Sequence, residues 1–252
     1  MSGYSQSDVD AADAFKAAAV TRPRRIGLFG GAFDPVHDAH LALARAAMDQ
    51  LTLDEVIWIP TGQPWYKNSP MVGTGHRLAM VDLAIGDEPR FVLDPRETER
   101  AGPTYTIDTV IELQSEFAAR AAVLAGDADV EIGGNSSLGG HVGADATSPS
   151  PTEAEWFLIV GQDQLAKFHT WQGWQALVSR VTLAVAGRAG DEPLIGKELE
   201  AAPIRLVKID LPPMNVSSTE IRNCLAQGRG LAGLVPPAVA SYIARHALYT
   251  AA

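Results

Sequence analysis

The sequence predicts an α/β fold built on a doubly wound, mostly parallel sheet. Three observations predict it. Short apolar runs recur at residues 26–29, 56–60, 91–93, 156–161, 181–186 and 204–209. Stretches of helical composition or spacing separate several of them. The runs are unbroken, as in strands buried on both faces. Strands alternating with helices imply right-handed βαβ units, with helices covering both faces of the sheet.

Order is expected to begin at Arg24. Ile26-Gly27-Leu28-Phe29 enters a tight turn at Gly30-Gly31. Residues 40–50, rich in Ala and Leu, read as a helix. Residues 56–60 form the second strand. Residues 74–85 form a helix with Leu78, Val81, Asp82 and Ile85 at helical spacing, and 91–93 form the third strand. Thr104 or Thr106 caps the next helix, whose stripe is Ile107, Val110, Ile111 and Phe117. Three further strands follow. Helices from Ser217, and from Pro236-Pro237 to His246, close the chain.

Composition sets the outer bounds. The chain has 252 residues, is 46% hydrophobic and 20% charged, and can bury a sizeable core. Its single cysteine, Cys224, excludes a disulfide framework and a Cys-rich zinc site; it reads as a small buried helix residue. A net charge of −10 argues against broad nucleic-acid binding. No apolar window is long enough for a membrane span, and residues 1–20 lack the pattern of a secretory signal. A cytoplasmic protein is the default expectation. Residues 1–21 read as a flexible extension and 22–252 as one domain. Residues 121–153, rich in Gly, Ala, Ser and Asp, read as a disordered insertion; no Lys or Arg lies between Arg120 and Lys167. The oligomeric state stays open, a homo-oligomer included.

Two glycine motifs are decoys. After Gly73-Thr74-Gly75, Leu78 stands where a dinucleotide fingerprint needs its third glycine. The stretch from Gly190 to Gly196-Lys197 is one residue too long for a phosphate loop, and Glu198 replaces the metal-binding Ser or Thr.

The strongest signal follows the first strand: Gly30-Gly31-Ala32-Phe33-Asp34-Pro35-Val36-His37-Asp38-Ala39-His40. Glycines let the backbone approach a ligand and expose its N–H groups. His37 and His40 stand three residues apart at a helix start, so both rings can face one point. With the helix N-terminus they would hold an anion. A structural turn capped by Asp34, or a metal-binding His pair, are the competing readings. A second motif is Asn215-Val216-Ser217-Ser218-Thr219-Glu220-Ile221-Arg222. Ser217 with Glu220 is a capping box, which leaves Arg222 unexplained; arginine binds phosphate bidentately.

Together these segments resemble the (H/T)xGH-type nucleotidyltransferases, whose motifs are Gly-Gly-x-Phe-Asp-Pro-x-His-x-Gly-His and Ile-Ser-Ser-Thr-x-Ile-Arg. Ala39 stands for the last glycine of the first and Val216 for the isoleucine of the second. Pro103-Thr104-Tyr105-Thr106, the stretch from Gly161 through Asp163 and Leu165 to Trp171, and the C-terminal Leu234-Val235-Pro236-Pro237 to Tyr249 resemble bacterial nicotinate-nucleotide adenylyltransferases in particular. The likeness runs from about Arg24 to Tyr249, the insertion excepted.

The resemblance implies a Rossmann-like sheet of the nucleotidyltransferase superfamily and a role for each residue. ATP would lie over Gly30, Gly31, Phe33, His37 and His40, with Ser217, Ser218, Arg222 and Lys67 on its phosphates. Arg188 would lie near the adenosine. Asp163 would contact ribose hydroxyls. Trp171 would stack on the pyridine ring, and Thr106, beside Tyr105, would hold its carboxylate. Tyr66 stands where the family usually has a histidine. Catalysis would fall to His37, His40 and Arg222. Mg²⁺ would ride on the ATP phosphates, with no protein metal site. The partners would be ATP and nicotinate mononucleotide.

No nucleophile–base pair is evident, so no covalent intermediate is indicated. The acceptor's phosphate is already an anion, and positioning with charge stabilisation suffices. The alternatives are a sister enzyme acting on nicotinamide mononucleotide or phosphopantetheine, and a non-catalytic nucleotide sensor. Trp174 is assigned to the core, and His76, His141, His169 and His246 to structure or surface.

Overall fold

The computed structural model describes residues 22–62, 71–126, 154–187 and 191–250. They divide into two compact units. One spans residues 25–113 and 156–252, and the other residues 1–24 and 114–155. In the second unit the described stretches are residues 22–24, 114–126 and 154–155.

The main unit carries the sheet. Its strands are β1 (Arg24–Gly31), β2 (Glu55–Pro60), β3 (Phe91–Leu93), β4 (Ala154–Gly161), β5 (Thr182–Ala186) and β6 (Leu206–Ile209). Their order is β3-β2-β1-β4-β5-β6. β1 pairs in parallel with β2 (Phe29 beside Trp58), and β4 with β5 (Leu158 beside Leu183). The chain winds outward from β1 to β3, then returns to place β4 against β1. Strand order reverses at that seam, where doubly wound sheets open a crevice beyond the strand ends.

The helices are α1 (Asp38–Gln50), α2 (Thr74–Ile85), α3 (Arg96–Glu99), α4 (Thr106–Gly126), α5 (Gln162–Leu165), α6 (Trp174–Arg180), α7 (Lys197–Glu200), α8 (Ser218–Ala226) and α9 (Pro237–Arg245), with a 3₁₀ turn at Phe168–Thr170. Alternate strand residues point to opposite faces. Phe29, Trp58, Phe157 and Ile159 pack in one cluster with Ala44, Met80, Ile221, Cys224 and Val239 from α1, α2, α8 and α9. Leu28, Ile57, Leu158 and Leu183 alternate with them, face the other way and are also buried. Both faces are therefore covered, which accounts for the unbroken apolar runs. Among the described residues no helix is long and apolar enough to cross a membrane.

The structure revises several sequence expectations. On α2 the core face is Arg77, Met80, Val81, Ala84 and Ile85. Leu78 is only half-buried and Asp82 is exposed. The expected stripe took its phase from Leu78, and a fully buried arginine is not read as core by its composition. On α4, Leu113 is buried and Ile111 exposed. That helix also continues through Gly126, past residue 121. Ala118, Ala119, Ala121 and Ala122 are strong helix formers, so composition alone misplaced its end. Trp174 is half-buried at the start of α6, outside the core. Residues 1–21 and 127–153 lie outside the described residues.

Candidate active site

A cavity of about 1130 Å³ opens beyond the β1–β4 seam. Its wall includes Gly30, Gly31, Phe33, His37 and His40 after β1, and Tyr105 and Thr106 at the start of α4. Asp163 and Trp171 after β4, and Ser217 and Ser218 at the start of α8, complete the set.

His37 caps α1 in an extended conformation, and His40 sits in the first turn. Their rings stack at 3.6 Å between centroids. The His37 peptide N–H donates to His40 Nδ1 at 3.2 Å. Burial pulls His37 from 6.5 to about 4. Burial also holds His40 well below 6.5, with repulsion from His37 adding to it. Both rings are therefore neutral at pH 7. Since His40 Nδ1 accepts, its proton lies on Nε2, leaving a donor for an anion. Among the described residues, His37 Nδ1 is buried with no hydrogen-bond partner. Phe33 presses edge-on to the His40 ring at 5.1 Å and to Phe29 at 5.5 Å. Its φ is 45°, a strained value for a bulky residue. A Cβ on Gly31 would come within 3.0 Å of that ring. Glycine is thus needed there for clearance as well as for access.

Asp34 ties the turn to distant elements. It is 3% exposed, and its peptide bond to Pro35 is cis. Tyr249 donates its hydroxyl to Asp34 Oδ1 at 2.7 Å; burial, first, and then this carboxylate keep the phenol protonated. Arg222 Nη1 donates to the Asp34 carbonyl at 2.6 Å, and the carboxylate lies 3.9 Å away. Arg222 is therefore turned onto the Gly-Gly turn and is absent from the cavity wall. Ser218 Oγ donates to the Pro35 carbonyl at 2.9 Å, and Ser217 Oγ accepts the Glu220 N–H, the capping contact its spacing predicts. Arg77 donates to the carbonyls of Ala32 (2.8 Å), Thr61 (2.7 Å) and Val72 (3.3 Å).

The wall after β3 and β4 is more open. Tyr105 and Thr106 are half-buried, Trp171 is half-buried and Asp163 is exposed. The Trp171 ring leans on the buried Phe168 at 4.8 Å, leaving its outer face toward the cavity wall it lines. The first N–H groups of a helix have no intrahelical partner, and α4 begins at Thr106. Among the described residues no group of three or more His, Cys, Asp or Glu could hold a metal.

The structure thus gathers all but three of the sequence-selected residues on one cavity. Arg222 is the first exception. Lys67 and Arg188 lie outside the described residues, as does Tyr66. Four contributors escaped sequence reading. Lys167 lines the cavity beyond Asp163. Asp34 was weighed only as a cap. Arg77 carried a signal, since it stands three, four and seven residues before Met80, Val81 and Ala84. Glu97 carried none: Arg96-Glu97-Thr98-Glu99-Arg100 reads as a solvated charge run.

Known proteins resemble this chain in sequence and in fold. The cytidylyltransferase-like family model matches residues 28–224. The chain is 43% identical over 231 residues to a protein of Bordetella petrii named probable nicotinate-nucleotide adenylyltransferase, covering 90% of this chain and 99% of that one. A protein of the same name from Neisseria meningitidis serogroup B is 37% identical over 90% of this chain and 98% of its own length. Among solved structures, the Plasmodium falciparum nicotinic acid mononucleotide adenylyltransferase complexed with NaAD is similar in fold. Its TM-score is 0.63 at 18% identity, over 90% of this chain and 97% of that chain.

Proposed function

The chain belongs to the nicotinate-nucleotide adenylyltransferases, and from that premise we propose that it transfers the adenylyl group of ATP to nicotinate mononucleotide. The products are nicotinate adenine dinucleotide and pyrophosphate, a step of NAD biosynthesis. The observation that carries the reading is one cavity lined both by two neutral stacked imidazoles at a Gly-Gly turn and by Trp171 beside the α4 N-terminus.

In this reading the acceptor's phosphate oxygen attacks the α-phosphorus of ATP, and the bond to the bridging oxygen breaks as pyrophosphate leaves. The nucleophile is already an anion and needs no base. His40 Nε2–H and the Ala39 N–H on the cavity wall receive the charge that develops on the phosphates. Ser217 and Ser218 border the same space, and Arg222 and Lys67 reach the phosphates as long flexible cations. Arg222 does so by exchanging the Asp34 carbonyl for a phosphate oxygen. Gly30, Gly31 and Phe33 shape the floor, Arg188 lies by the adenosine, and Asp163 meets ribose hydroxyls. Thr106, with Tyr105 beside it, receives the ring carboxylate, and Trp171 stacks on the ring. The wall offers no cluster of acidic ligands among the described residues, which suits a Mg²⁺ ion held by ATP oxygens and water. That ion neutralises triphosphate charge when bound. ATP as substrate fits a cytoplasmic setting.

The test is pyrophosphate release from ATP with nicotinate mononucleotide, nicotinamide mononucleotide and phosphopantetheine in turn. A carboxylate only accepts hydrogen bonds, whereas a carboxamide turns an NH₂ donor toward the N–H groups of the wall. Sites built for one polar pattern reject the other by about 10⁴. Preference of that order for the acid in kcat/KM is expected. Equal values would overturn the acid as substrate, and no pyrophosphate release with any of the three would leave a non-catalytic nucleotide sensor.

A further inference from the structure

One buried acid has no part in the chemistry above. Glu97 is 5% exposed, sits on α3 and lines the cavity with Thr104, Tyr105 and Thr106. Thr109 Oγ1 lies 2.8 Å from Glu97 Oε1, and Arg100 Nη1 lies 3.3 Å from the same hydroxyl. Arginine can only donate, so the one Thr109 proton must point at Glu97. The Thr104 side chain stands near the same carboxylate and, with Thr109, favours its ionised form. The carboxylate is thus tied to the first turn of α4 through Thr109, with Thr104 beside it on the cavity wall. Arg100 is itself fixed by Glu112 at 2.6 Å. Behind α3, a Cβ on Gly62 would collide with the Glu97 carbonyl oxygen, so the exit of β2 abuts this residue directly.

A carboxyl group buried this far costs free energy that its hydrogen bonds must offset. Burial pushes Glu97 above its ordinary range, while the two threonine hydroxyls pull against that. A helix start that only had to be stable could be braced by apolar packing. This one is braced by directional bonds, which fix the orientation of the turn as well as its place.

We propose that Glu97 is a positioning residue for the acceptor: by holding Thr109 it sets the α4 start in the orientation that receives the ring carboxylate. The proposal rests on the reading that the Tyr105–Thr106 turn meets the mononucleotide.

The experiment measures kcat, KM for each substrate and Tm in Glu97→Ala, Glu97→Gln and Thr109→Val. In Glu97→Ala, KM for nicotinate mononucleotide should rise about tenfold while KM for ATP stays within about twofold, on the scale of sub-ångström misplacement of a binding group. Glu97→Gln should recover most of the loss. Its oxygen can accept from Thr109 and its NH₂ can face Thr104, whose hydroxyl is free to turn and accept. If Glu97→Ala fails to fold, Thr109→Val carries the test and should raise the same KM alone. Equal rises in both KM values, a lower Tm with neither KM changed, or a Gln variant as poor as Ala would overturn the proposal. Wild-type turnover with each acceptor separates the two claims. If the wild type ignores nicotinate mononucleotide, the functional reading fails, and the Glu97 variants are then read on the acceptor that is used.

Discussion

The wall that carries His37 and His40 and the wall that carries Thr106 and Trp171 are braced in different ways. The first is held by partners far along the chain: Arg77, Arg222 and Tyr249 all bond the turn between Ala32 and Asp34, and Ser218 bonds Pro35. Its rings are desolvated and neutral. The second is held by partners close in sequence, Glu97 to Glu112 around Thr106 and Phe168 under Trp171, and the residues assigned to the ligand are half-buried or exposed. Phosphate is common to every nucleotide, and a rigid, deeply anchored wall serves it. In the proposed reading the group that distinguishes one acceptor from another meets a locally built wall, whose changes need not disturb the core.

That contrast can be broken experimentally. The largest effect is expected on the anchored wall. His40→Ala should lower kcat by about 10²–10³, the scale for removing one oriented donor to developing charge. An unchanged kcat in steady-state assays would take His40 out of the reaction. The open wall should respond differently, with Trp171→Ala weakening mononucleotide binding by about 1–3 kcal/mol, the scale of stacking on one aromatic ring. ATP affinity should hold, and titration calorimetry with each substrate separately would expose a shared loss.

The smallest effect is a loss of stability on acidification, and the anchored wall should produce it. His37 titrates at about 4 in the folded chain against 6.5 in the unfolded one. Between those values the unfolded chain binds the proton and the folded chain does not. Stability is therefore full above 6.5 and is lost as pH falls toward 4, by about 2 kcal/mol at pH 5. His40, also lowered, adds in the same direction. Glu97, raised, acts in the opposite one. Urea midpoints at pH 7.5 and 5 should differ less in His37→Gln than in wild type, and an identical drop would show that His37 is not the group responsible.

Much of the anchored wall was legible in the sequence. Its glycines, both histidines and Ser217 act through neighbours within a few residues, and such contacts leave a pattern in spacing. The long strands were legible for the same reason, through unbroken apolar runs. The short helices α3, α5, α6 and α7 were not expected. At four to seven residues they hold too few turns to show a period. The bracing residues were harder still. Arg77 and Asp34 act on backbone brought near only by the fold, and Glu97 is surrounded in sequence by charges that suggest solvent.

The bond from Tyr249 to Asp34 joins residues 215 positions apart. During synthesis, the Gly-Gly turn leaves the ribosome early and its last brace leaves late. At about 5–20 residues per second, ten seconds or more separate the two. A nascent chain therefore carries the histidine pair long before the turn around it can be locked. Nucleotide added to stalled chains should then protect that turn from proteolysis only once the region around Tyr249 has emerged.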